Sequence, residues 1–150
     1  MPETKQTSPL PQQPDQVGIV VRDMDKAIEY YSKVLGIGPF RRFEFTLPEG
    51  IMRGKKISLK TKLAFTSLGT LEVELIEAPS GDNIYREFLE ASGEGLHHLG
   101  FHVSDIDSHL DRLKQQGVGI LFSGRTERVS FAYMDTAETG GVIFELIERK

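Results

Sequence analysis

The chain has 150 residues, 39% of them hydrophobic, and its 18 lysines and arginines against 22 aspartates and glutamates leave a net charge of −4. That length suits one domain or two small repeats sharing a core, and the lack of a basic excess argues against a general nucleic-acid binder. There is no cysteine, which excludes disulfide scaffolds, thiolate metal sites and cysteine nucleophiles. Residues 1–15 hold four of the seven prolines and, beyond Met1, one large aliphatic residue, Leu10. They read as a disordered leader without the apolar core of a signal peptide. No apolar run approaches the roughly 20 residues that span a bilayer, so the expectation is a soluble, cytoplasmic protein with no membrane partner.

Structure is expected to begin at Gln16, where β-branched residues up to Arg22 predict a strand. Asp23 or Asp25 then caps a helix whose apolar positions are Ala27, Ile28, Tyr31, Val34 and Leu35, with Gly36 and Gly38 ending it. Strands are predicted at 40–47, 62–68 and 71–77, and a short helix at 84–91. Between the first two lies a basic stretch, 53–63, whose Lys55, Lys56, Lys60 and Lys62 read as a solvated loop. A strand at 96–103 follows, then a helix at 105–116 that buries Ile106, Leu110 and Leu113, then strands at 119–123, 129–134 and 142–148.

The order is strand, helix and three strands, twice. Residues 17–25 align with 99–107 at an offset of 82, and 71–77 align with 142–148 at an offset of 71, matching Glu74 to Glu145. An α+β fold of two tandem βαβββ modules follows, about 16–80 and 96–150, linked by the short helix into one domain over 16–150.

Strand alternation sends successive side chains to opposite faces. Leu99, Phe101 and Val103 are expected against a helix, leaving His98, Gly100 and His102 on the other face. The same parity puts Gln16 and Gly18 on the first strand, Glu74 on the fourth and Glu145 on the last on that face. Glu145 sits between Ile143 and Ile147 in an apolar stripe, where a carboxylate needs a compensating charge. Gln16, Glu74, His98 and Glu145 thus form a candidate ligand set of one imidazole, two carboxylates and an amide. This is a hard, oxygen-rich set that suits Co, Mn, Ni or Zn with open positions, able to polarise a carbonyl.

These residues resemble the vicinal oxygen chelate superfamily, in which paired βαβββ modules form a curled mixed sheet around a metal cavity. Gly93-Glu-Gly-Leu-His-His-Leu-Gly-Phe-His-Val-Ser-Asp-Ile-Asp107 is similar to the methylmalonyl-CoA epimerase family. Asp25-Lys-Ala-Ile-Glu-Tyr-Tyr-Ser-Lys-Val-Leu-Gly36 and Gly140-Gly-Val-Ile-Phe-Glu-Leu-Ile-Glu148 resemble the wider superfamily. The resemblance implies a divalent metal on Glu74, His98 and Glu145, an acyl-CoA thioester as substrate, and a homodimer. It implies proton abstraction beside the thioester carbonyl by Glu145, paired with Glu49 in the Leu47-Pro-Glu-Gly50 loop. The chain departs from that family in carrying Gln16 where histidine is usual, and Met134-Asp-Thr136 where the family has His-Pro-Lys. A glyoxalase I-like lyase uses a Gln/Glu/His/Glu set and is the alternative. Its glutathione-binding arginine, however, corresponds to Val20. A dioxygenase with two histidines and one carboxylate finds only His98 in place, and a non-catalytic small-molecule binder would not need the ligands.

Overall fold

The computed structural model describes residues 8–138 and 140–150. Eight strands, β1 (Gln16–Val21), β2 (Arg41–Met52), β3 (Lys55–Leu68), β4 (Leu71–Glu77), β5 (Gly95–His102), β6 (Ile120–Arg125), β7 (Val129–Met134) and β8 (Ile143–Arg149), close into a barrel. The order is β1-β4-β3-β2-β6-β7-β8-β5, so each module contributes four consecutive strands and the modules meet twice, at β1–β5 and β2–β6. Only β1–β4 and β5–β8 are parallel, and they are equivalent pairs in the two modules. The mixed, curled sheet of the α+β reading is present.

Helix α1 (Met24–Glu29) is capped by Asp23, whose carboxylate accepts from Lys26 N at 3.1 Å. It continues as a π turn, Tyr30–Val34, so the apolar stripe drifts out of phase. Ala27, Ile28 and Tyr31 pack on Val21, Ala64 and Leu75, but Val34 and Leu35 are turned to solvent, against the spacing expectation. Helix α3 (Ile106–Gln115), capped by Asp105, buries Ile106 and Leu113 beneath Phe101, Leu146 and Met134, with Leu110 beside them. Helix α2 (Ile84–Ser92) does something different: Ile84, Tyr85 and Leu89 enter the barrel's own core with Val20, Leu47, Ile76 and Phe122. It packs its buried face into the same apolar cluster as the strands.

Two expectations are corrected. The basic stretch is no loop: β3 begins at Lys55, and the four lysines lie along a long β2–β3 hairpin turned by Arg53 and Gly54, both at positive φ. The Pro-Glu-Gly segment is likewise inside β2, where the register slips between Leu47 and Gly50 and a bulge accommodates Pro48. The expected leader falls partly on residues 1–7, outside the described residues. Residues 8–15 have no regular element, yet Leu10 joins the α3 core and Asp15 carboxylate accepts from His102 N at 2.7 Å. Among the described residues no helix is long and apolar enough to cross a membrane.

Candidate metal centre

The site is written in two rows across four adjacent strands. In one row Glu74 on β4, Gly18 on β1 and His98 on β5 are cross-strand neighbours. In the next, Gln16 on β1, Gly100 on β5 and Glu145 on β8 are neighbours. Each row therefore holds two polar side chains flanking a glycine, and the two glycines are equivalent under the offset of 82. The glycines are required by space. A Cβ on Gly18 would stand 1.9 Å from His98 Cε1, and one on Gly100 would stand 2.9 Å from Gln16 Oε1. His98 lies over Gly18 and Gln16 over Gly100, so both side chains reach the middle of the group.

The other three expected ligands converge on His98 Nε2. Gln16 Oε1 is 3.0 Å from it, Glu145 Oε2 2.9 Å and Glu74 Oε1 3.6 Å. One donor atom from each of Glu74, His98 and Glu145 lies within 4.8 Å of the others. All four residues are buried. The ring nitrogen bonds only Gln16: Glu145 Oε2 is close but misaligned, and it has no hydrogen-bond partner. Two buried carboxylates share one imidazole, and burial first, then the charges of Glu145 and Glu72, push the Glu74 pKa well above its ordinary value. A divalent cation fits this donor set: it would supply the missing positive charge and take the unpartnered Glu145 oxygen.

Glu49 is not brought to the group. The β2 bulge turns it outward, where its side chain is 63% exposed and pairs with Lys56 at 3.3 Å. Glu49 thus stands at the surface with Lys56, outside the buried group.

Other residues of the site were not expected. A bulge in β5, where Gly18 faces His98 but Ile19 faces Leu96, makes His97 the extra residue and buries it beside His98. Its ring lies among Tyr85, Phe88 and Tyr133, with Nδ1 3.0 Å from His98 Nδ1. Burial, with the neighbouring His98 second, pushes its pKa down to about 3. Tyr133 stands edge-on to the His98 ring at 5.0 Å between centroids and shares a 2.8 Å hydroxyl contact with Tyr85. Burial first and the charge of Glu145 next push both phenols well above their ordinary value, so they persist as neutral phenols. The adjacent pair of histidines and the glycines repeated at 18 and 100 were visible signals. Strict alternation, however, pointed His97 away.

Gln16, Glu74 and Glu145 border a cavity of about 840 Å³. Phe43, Phe45, Phe65, Phe131 and Ile147 contribute apolar wall, while Arg41, Arg125, Arg128 and Arg149 also line it. Apolar walls around a few convergent polar groups are the usual make-up of a small-molecule site.

Comparison with known proteins gives the family and fold. Residues 15–133 match the glyoxalase/bleomycin resistance protein/dioxygenase superfamily. The chain is 30% identical over 139 residues to the uncharacterized protein YqjC of Bacillus subtilis, covering 91% of each. A solved methylmalonyl-CoA epimerase from Mycobacterium tuberculosis superposes with a TM-score of 0.64 at 28% identity, over 91% of this chain and 87% of that one. The Streptomyces coelicolor methylmalonyl-CoA epimerase in complex with 2-nitronate-propionyl-CoA has a TM-score of 0.69 at 20% identity, over 91% and 96%.

Proposed function

The chain belongs to the glyoxalase/bleomycin resistance protein/dioxygenase superfamily, and on that premise we propose that it is a metal-dependent epimerase moving a proton beside a thioester carbonyl, with methylmalonyl-CoA as substrate. The observation that carries this reading is the convergence of Gln16, Glu74, His98 and Glu145 in one buried group bordering the cavity. These four residues would hold Co, Mn, Ni or Zn. When bound, such an ion supplies a positive charge that polarises the carbonyl and makes the neighbouring C–H more acidic. Glu145 is the residue for the proton, because it is a buried carboxylate that lines the cavity and has a second oxygen to take the proton while the first meets the ion. Tyr133 and Tyr85, neutral and buried, keep water from the inner end of the cavity. The arginines that line the cavity suit the anionic groups of an acyl-CoA. The likeness to the Mycobacterium tuberculosis epimerase supports the same substrate class.

A second reading, a glyoxalase I-like lyase acting on a glutathione hemithioacetal, is supported by two observations. Gln16 is drawn into the group, completing a Gln/Glu/His/Glu set. Inversion at carbon also calls for a group on the far face, and Glu49 does not stand there.

One incubation separates the two. Metal-loaded protein with methylmalonyl-CoA in deuterated water is expected to place deuterium on the α-carbon, and Glu145→Gln to slow this by about a hundredfold or more. Absence of exchange, together with turnover of the methylglyoxal–glutathione hemithioacetal, contradicts the epimerase reading and establishes the lyase.

A further inference from the structure

The amide of Gln16 has two ends, and only its oxygen carries a lone pair to offer a cation. Its Nε2 donates to Glu72 Oε1 at 2.8 Å, which leaves Oε1 facing His98 Nε2 at 3.0 Å. An ionised carboxylate accepts and never donates, so Glu72 takes this amide only by its nitrogen end. Glu72 is itself held. Arg149 Nη2 donates to the same Oε1 at 2.6 Å and Nη1 reaches Oε2 at 3.4 Å.

The internal duplication isolates this arrangement. Glu72 neighbours Gln16 across β4 and β1, and its equivalent at an offset of 71 is Ile143, which neighbours His98 across β8 and β5. The imidazole therefore finds its second contact on His97, next to it in the chain, whereas the glutamine finds its own on Glu72. A polar residue replaces an apolar one at the single equivalent position where an amide must be oriented.

We propose that Glu72, clamped by Arg149, is a positioning residue that presents Gln16 oxygen-first to the metal group. This rests on the metal reading above. Without an acceptor at residue 72, the amide is free to turn its NH2 inward, where it repels a cation.

Two measurements test this, one of which needs no metal. In NMR spectra of metal-free protein, the Gln16 side-chain amide protons are expected to exchange slowly, and to exchange freely in Glu72→Leu. In calorimetric titration with Co²⁺, Glu72→Leu is expected to bind ten- to a hundredfold more weakly, roughly the loss that follows removal of a partner to a metal ligand. Glu72→Gln keeps a carbonyl acceptor, fixed by the donor-only Arg149, and is expected to stay close to wild type. In a Gln16→Ala background Glu72→Leu should cost nothing further, because its effect runs through Gln16. Arg149→Met, at the exposed end of β8, is a second probe expected to weaken binding less than Glu72→Leu. Equal losses in Glu72→Gln and Glu72→Leu would mean that charge alone matters and would overturn the proposal. So would free exchange of the Gln16 amide in wild-type protein. Should wild-type protein take up no cobalt, the metal reading fails and the amide exchange alone decides the orientation.

Discussion

Gly18 shows how closely the site depends on what is missing from it. The His98 ring occupies the space a Cβ would need, with Cε1, Nδ1 and Nε2 all within 2.5 Å of that position. Gly18→Ala must displace a buried ring in a packed wall. It is expected to cost about 1–3 kcal/mol of stability and to weaken metal binding at least tenfold, read by denaturant unfolding and by titration. Normal binding by this variant would mean that His98 is free to move and does not define the site. His97 makes a different test. Its pKa is depressed, so the folded state stays unprotonated between 6.5 and about 3 while the unfolded chain takes up a proton. The stability this group confers is full above 6.5 and is lost as the pH falls through that window, by up to about 1.4 kcal/mol per pH unit for one proton. Metal-free wild type should therefore lose stability relative to His97→Phe between pH 7 and pH 5, and a constant difference would contradict the burial of a neutral imidazole. The four residues of the buried group are readable in the sequence because alternation and the repeat each act through a fixed spacing. His97, Tyr85 and Tyr133 were not, because a bulge and a cross-barrel contact have no period.

At the scale of elements, the strands and helices follow from apolar spacing, and the departures have local causes. The π turn after α1 carries Val34 and Leu35 past the core. The β2 bulge absorbs Pro48 and aims Glu49 at Lys56, a placement that a Pro-Glu-Gly turn in the sequence did not reveal. The long β2–β3 hairpin was obscured because its alternate residues are lysines that face solvent, and charge is a loop signal only when no strand partner exists. Helix α2, a linker by its position in the sequence, also contributes to the core. Leu89 is buried there with Ile76, Phe122 and Tyr85, and Leu89→Ala is expected to cost about 2–5 kcal/mol. Denaturant melts check this. A loss below about 1 kcal/mol would mean that α2 lies over the barrel without contributing to its core.

The whole molecule is one arrangement used twice. Each module supplies a parallel strand pair, and the two pairs join at β1–β5 to form the wall that carries Gln16, Glu74, His98 and Glu145. A duplicated unit explains why two glycines and two glutamates recur at fixed offsets, and why the site needs both halves. The small net charge of −4 takes on a local meaning, because Glu74 and Glu145 are acids buried with a single imidazole between them. The most direct test of this account is a calorimetric titration of metal-free protein with Co²⁺, Mn²⁺, Ni²⁺ and Zn²⁺, comparing wild type with His98→Ala. About one ion is expected to bind per chain, with a rise in melting temperature on binding and loss of most of that binding in the variant. Equal binding by both proteins, or none by either, would contradict it.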